Sequence, residues 1–160
     1  MNTLTTLALA GAVALTAVSV TTRPTVASEK ESLQFGNFSV SLAVKDIKAS
    51  KAFYEKLDFK EVGGKLEQNW IILQNGTTTI GLFQGMFEAN AMTFNPGWNK
   101  DKETLEKFQD VRDLQSVLKK RGIKMIMEAD ESTDGPAHFV IADPDGNSIF
   151  IDQHVPKPKK

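Results

Sequence analysis

Phe38-Ser-Val-Ser-Leu-Ala-Val44 alternates Phe38, Val40, Leu42 and Val44 with small residues, the period-two pattern of a strand buried on one face. Asp46 follows almost at once, and its side-chain oxygen predicts an N-cap for a helix running to about Leu57, with Ile47, Ser50, Tyr54 and Leu57 facing inward. Three more strands are expected at Phe59 to Gly63, Trp70 to Gln74 and Thr78 to Gln84, with Asn75-Gly76 as a tight turn between the last two. The order so far is βαβββ.

The same order then repeats. Ala91 to Asn95 reads as a strand and Asp110 to Arg121 as a helix with Val111, Leu114, Val117 and Leu118 inward. That helix has a marked end, with Lys119-Lys120-Arg121 in the last turn and Gly122 just beyond. Strands at Ile123 to Met127, His138 to Ala142 and Ser148 to Asp152 complete the set, and Asp143-Pro-Asp-Gly146 turns the chain between the final pair. Particular residues echo across the halves. Leu57-Asp-Phe-Lys-Glu-Val62 parallels Arg121-Gly-Ile-Lys-Met-Ile126, and Ile80-Gly-Leu-Phe-Gln84 parallels Ile149-Phe-Ile-Asp-Gln153. Two echoes in the same order argue for internal duplication.

Sheets of this size bury one face under their helices. In the first strand the face opposite the apolar set carries Ser39, Ser41 and Ala43, side chains that leave room, so the expected binding place is a cleft between two short sheets.

With these segments placed, a family resemblance is plain. Leu42-Ala-Val-Lys-Asp-Ile-Lys-Ala-Ser-Lys-Ala-Phe-Tyr-Glu-Lys-Leu-Asp-Phe59 and the hairpin from Phe139 to Gln153, with Asp143-Pro-Asp-Gly-Asn147 ahead of Ile149-Phe-Ile151, resemble the opening unit and closing hairpin of the glyoxalase/bleomycin-resistance (vicinal oxygen chelate) superfamily. The resemblance implies an α+β fold in which two βαβββ modules, about residues 35–88 and 89–155, form a curved mixed sheet around a cavity, with 156–160 as a basic tail. It also implies a common homodimeric assembly. Many members of the superfamily hold a divalent metal in the cavity, while bleomycin-binding members hold none and sequester a ligand.

The resemblance places the metal ligands of the metal-dependent members, usually His and Glu, at four positions that here read Ser39, Ala91, Gly81 and Phe150. Such residues supply neither imidazole nor carboxylate, the donors that zinc, nickel, iron or manganese sites of this kind require. The chain's histidines are His138 and His154. Asp152 and His154 share one strand face by alternation and could form at most a two-ligand site; ordinary hydrogen bonding near a strand end is the plainer reading of both, and a lone proton-transfer role for His154 stays open. No bound metal or other cofactor is expected.

Trp70, Phe83, Met86, Phe87, Trp98 and Phe150 suggest an aromatic-lined pocket, with core packing or a dimer interface as the other use of such residues. Ser39, Ser41, Gln84 and Asn95 would orient a ligand within it. The candidate ligand-binding set is therefore Ser39, Ser41, Trp70, Gly81, Phe83, Gln84, Asn95, Trp98, Phe150, Asp152 and His154. Lys100 to Phe108, with its mixed charges, reads as a solvated loop or short helix.

Composition narrows the rest. The 160 residues carry 19 Lys and Arg against 20 Asp and Glu, which gives no electrostatic footprint for nucleic acid. With no cysteine, disulfides, thiolate nucleophiles and Cys-based zinc sites are excluded. Leu4 to Val20 is uncharged and apolar, and Val26-Ala27-Ser28 offers small residues before Glu29-Lys30-Glu31. This reads as a secretory signal over residues 1–28 that exports the domain to a periplasmic or extracellular space, with an uncleaved membrane anchor as the alternative. The functional expectation is a metal-free protein that binds or sequesters a small hydrophobic or aromatic molecule. The competing expectations are a glyoxalase- or dioxygenase-like metalloenzyme with a displaced metal site, and an interaction module whose cavity is filled.

Overall fold

The computed structural model describes residues 32–159, so the proposed signal segment lies outside the described residues. The chain runs β1 (Asn37–Val44), α1 (Ile47–Glu55), β2 (Lys60–Lys65), a short 3-10 turn (Leu66–Gln68), β3 (Trp70–Asn75), β4 (Thr78–Gln84), β5 (Ala91–Asn95), α2 (Val111–Lys120), β6 (Met125–Met127), β7 (Ala137–Ala142) and β8 (Ser148–Gln153). This is the duplicated βαβββ order.

The strands do not form two separate sheets. They make one eight-stranded sheet in the order β2-β3-β4-β1-β5-β8-β7-β6. Antiparallel pairing of β1 with β5 joins the modules, from Asn37↔Asn95 to Ser41↔Ala91. Parallel pairs β1–β4 and β5–β8 flank that seam, which makes the two halves equivalent about it: Ser41 pairs with Gly81 as Thr93 pairs with Phe150. The hydroxyls of Ser41 and Thr93 meet across the seam at 2.8 Å.

Each module keeps its own core beneath its helix. Ile47 of α1 packs with Ile71, Leu73 and Leu82, with Tyr54 and Phe59 against them. Val111, Leu114 and Leu118 of α2 pack with Ala129, Phe139, Ile141 and Ile151.

Several boundaries differ from expectation. Helix α1 stops at Glu55, the chain turns at Asp58 with φ 63°, and Leu57 is 49% exposed instead of inward. Phe59 precedes β2 and stacks edge-on against Tyr54 in the core. Strand β6 starts at Met125 because Ile123 still belongs to the helix terminus: Ile123 N–H reaches Leu118 O at 3.0 Å and Gly122 N–H reaches Lys119 O at 3.0 Å. That double closure, with Gly122 at φ 81°, is a Schellman motif. Val117 is only half-buried, whereas Gln115 is fully buried, its amide bonded to both Ala129 N (2.7 Å) and Ala129 O (3.2 Å). Phe38 is 46% exposed and rests on Phe94. Among the described residues, no helix is long and apolar enough to cross a membrane.

Candidate functional site

On the face of the sheet away from the two cores lies a cavity of roughly 380 Å³. Strand alternation decides what lines it. From β1 come Asn37, Ser39 and Ser41, from β3 Trp70 and Ile72, and from β4 Thr79, Gly81 and Phe83. From the second module, Ala91, Thr93 and Asn95 of β5 and Phe150, Asp152 and His154 at the end of the chain complete the wall. Both modules therefore contribute, and the Ser41–Thr93 hydrogen bond forms part of the floor.

The wall is largely aromatic on one side. Phe83 and Phe87 lie 5.0 Å apart between ring centres, and Phe87 and Phe150 6.4 Å apart. Ser39, Ser41, Thr79, Thr93 and Asn95 are each buried and supply a row of hydroxyls and one amide. Asn95 is held in place by donating from Nδ2 to the Asp152 carbonyl at 3.0 Å. At the second module's end of the cavity, the His154 ring stacks on Trp98 at 4.5 Å and 14°, and His154 Nε2 lies 3.1 Å from Asp152 Oδ2.

Of the candidate set, ten residues border this cavity and one does not. Gln84 faces the other side of the sheet, where its Oε1 accepts from Ile47 N–H at 2.8 Å. The reason is parity: Gly81 and Phe83 point into the cavity, so Leu82 and Gln84 point toward α1. Met86, half-exposed, also lies outside the lining.

The segment between β5 and α2 is not merely solvated. Pro96 and Gly97 turn the chain, Gly97 at φ 86°, and any Cβ there would meet Val155 Cγ2 at 2.5 Å. Beyond it, Asn99 Oδ1 accepts from the N–H groups of Asp101 (2.9 Å) and Glu103 (3.0 Å), which folds residues 99–103 into a compact loop. That loop crosses to the first module, where Gln74 Nε2 donates to Lys100 O at 2.9 Å and Lys102 Nζ donates to Val62 O at 3.1 Å. Trp98 and Lys102 thus line the cavity from a strap that ties the modules together.

Thr79, Thr93 and Ile72 were legible by extending the same alternation along β4, β5 and β3. Lys102 carried no local signal. It enters only because a loop of the second module meets β2.

The model of the Glyoxalase/Bleomycin resistance protein/Dioxygenase superfamily matches residues 38–151. The chain belongs to that superfamily. Solved structures of similar fold include one named NAD-dependent benzaldehyde dehydrogenase from Legionella pneumophila, with 18% identity, TM-score 0.56, and 73% of this chain and 98% of that chain covered. A superfamily member from Vibrio splendidus shows 14% identity and TM-score 0.50, covering 72% and 97% of the two chains. A methylmalonyl-CoA epimerase from Streptomyces coelicolor, in complex with 2-nitronate-propionyl-CoA, shows 12% identity and TM-score 0.53, covering 76% and 99%. At these identities the likeness speaks to the fold alone. No curated protein matches.

The four positions that the resemblance assigns to metal ligands all border the cavity. They hold Ser39, Gly81, Ala91 and Phe150, which offer a single hydroxyl between them. At Gly81 the space of a longer side chain is taken, since a Cβ there would stand 2.4 Å from the Phe83 ring. Among the described residues, no three His, Cys, Asp or Glu side chains are grouped to hold a metal ion. This donor set does not fit the superfamily's dication site.

Proposed function

We propose that this superfamily member is a metal-free binding protein that sequesters a small hydrophobic or aromatic molecule in the cavity shared by its two modules. The observation that carries the reading is the composition of one wall: Phe150 lines the cavity and the Phe83 ring fills the space beside Gly81, at the two positions the resemblance assigns to carboxylate ligands. What replaces the dication is an apolar, aromatic surface facing a row of neutral hydroxyls, a combination suited to a flat ligand oriented by a few hydrogen bonds. The competing metalloenzyme reading has Asp152 and His154 as its best donors. These two already face each other, and among the described residues no third ligand joins them, which leaves the pair one short of the three protein ligands usual for a catalytic site. The leader-like N-terminal sequence supports placing this binding activity in an exported protein.

Thermal unfolding in the presence of mono- and bicyclic aromatic compounds tests the proposal. A ligand at a hundredfold excess over its Kd stabilises the native state by about 2.7 kcal/mol, which raises Tm by several degrees. Stabilisation by at least one aromatic compound, with no dependence on chelator, is the expected result. A purified protein that carries stoichiometric Ni, Zn, Fe or Mn and loses ligand binding with EDTA would overturn it.

A further inference from the structure

Among the described residues, Lys102 is the one lysine or arginine that borders the cavity, and its surroundings are arranged to bring its ammonium there. Its backbone holds a left-handed φ of 61°, uncommon for a residue with a side chain, inside the loop that Asn99 organises. Opposite it, Gly63 presents no side chain; a Cβ built there would sit 3.1 Å from Lys102 Nζ, so the glycine leaves the space the ammonium fills. The ammonium has three donors, and one is used on the Val62 carbonyl at 3.1 Å. Among the described residues it forms no ion pair with a carboxylate. A cation partly withdrawn from water without a counter-charge is unfavourable until an anion arrives. Consistent with this, burial holds its pKa below the usual lysine range.

The cavity is also charged asymmetrically. Lys102 stands over β2 at the first module's side, while Asp152, with His154 against it, stands at the second module's side. A ligand with an acidic group would be drawn to one end and repelled from the other. The same lining carries the aromatic rings of Trp70, Phe83 and Phe150.

We infer that the ligand class of this cavity is an aromatic acid, its ring against the Phe83–Phe150 wall and its carboxylate paired with the Lys102 ammonium. The inference rests on the binding reading given under Proposed function and specifies its chemistry.

The experiment compares naphthoate with its neutral isostere naphthamide, by calorimetric titration of the whole chain and of Lys102→Met. Naphthoate should bind roughly tenfold or more tightly than naphthamide to the unsubstituted chain, the scale of a hydrogen bond to a charged group. In Lys102→Met that preference should vanish, the two probes binding with equal affinity. Equal affinity of the two probes for the unsubstituted chain would overturn the assignment of Lys102 and leave the cavity reading standing; this comparison needs no variant to fold. A preference for naphthoate that persists in Lys102→Met would likewise overturn it, because the anion would then be held elsewhere. Binding of neither probe, together with no stabilisation by any neutral aromatic compound, would remove the cavity reading and this inference with it.

Discussion

Asp110 caps α2 with a side chain only 1% exposed. Burial alone would push its carboxyl pKa up. Hydrogen bonds from Gln153 Nε2 (2.9 Å) and from Arg112 N and Nη1 (3.0 and 3.1 Å), with the Arg112 charge, outweigh that and hold it below the usual carboxylate range. A free Asp titrates near about 3.9. Because the native pKa is the lower one, Asp110 contributes stability above that value and loses it as pH falls through the unfolded and then the native pKa. Asp110→Asn should therefore be less stable at neutral pH by about 2 to 4 kcal/mol, and the gap to the parent chain should narrow as pH falls below about 4. Urea midpoints across that range measure it, and parallel acid limbs for the two chains would contradict it. Asp130 and Asp143 are also held low, by hydrogen bonds from Ser132 and Asn147, but act equally in both chains. At this scale legibility follows distance along the chain. Ser39, Gly81 and Phe150 could be placed because alternation is a local rule. Applying that rule strictly to β4 would also have moved Gln84 to the helix side. Lys102 could not be placed at all, since its contact with Val62 depends on where a distant strand ends up.

Gln84 and Gln153, which close the echoing segments at the ends of β4 and β8, turn out to serve the helices. Gln84 Oε1 accepts the first N–H of α1 from Ile47 and Gln153 Oε1 accepts the first N–H of α2 from Val111, each at 2.8 Å. Helix starts leave backbone N–H groups without intrahelical partners, and here a strand supplies one. The repeat was thus visible in the sequence, but its meaning was not, because a glutamine gives no local sign of which helix it will meet. The two anchors are not equivalent. Gln84 is half-buried, whereas Gln153 is fully buried and its Nε2 also donates to Asp110 Oδ2 and Val155 O. Gln84→Leu should cost about 1 kcal/mol, and Gln153→Leu about 2 to 4 kcal/mol because it strands buried groups on both sides. Urea unfolding should show the larger midpoint shift for Gln153→Leu at an unchanged m-value. Equal shifts would mean that the strand-to-helix bond, and not the buried network, sets the cost. Helices and strands with strong periodicity, such as β1 and α2, were well bounded by sequence. The ends of α1 and β6 were not, because there backbone closure at Asp58 and Ile123 overrides the side-chain pattern.

For the molecule as a whole, duplication was legible in the residues themselves, while the continuous mixed sheet followed only from the family resemblance. Nothing local in Phe38–Val44 or Ala91–Asn95 says that these two strands pair with each other, yet that pairing turns two small sheets into one and creates the shared cavity. It also bears on stability. The hydrophobic cores are separate, one under each helix, so each module by itself resembles a domain of some 60 residues, a size at which buried surface leaves little margin. The β1–β5 seam, the strap contacts at Lys100 and Lys102, and smaller contacts such as Phe87 against Phe150 join them. If the seam couples them fully, the chain unfolds as one unit. Trp70 in β3 and Trp98 in the strap offer one fluorescent probe for each module. In single-tryptophan chains, Trp98→Phe and Trp70→Phe, melting curves should share one midpoint. Adding Leu73→Ala, a cavity in the first module's core worth about 2 to 5 kcal/mol, should lower both midpoints by the same amount although Trp98 lies far along the chain from the lesion. A Trp70 transition that falls while the Trp98 transition stays put would show that the modules melt independently and that the seam only aligns the cavity walls.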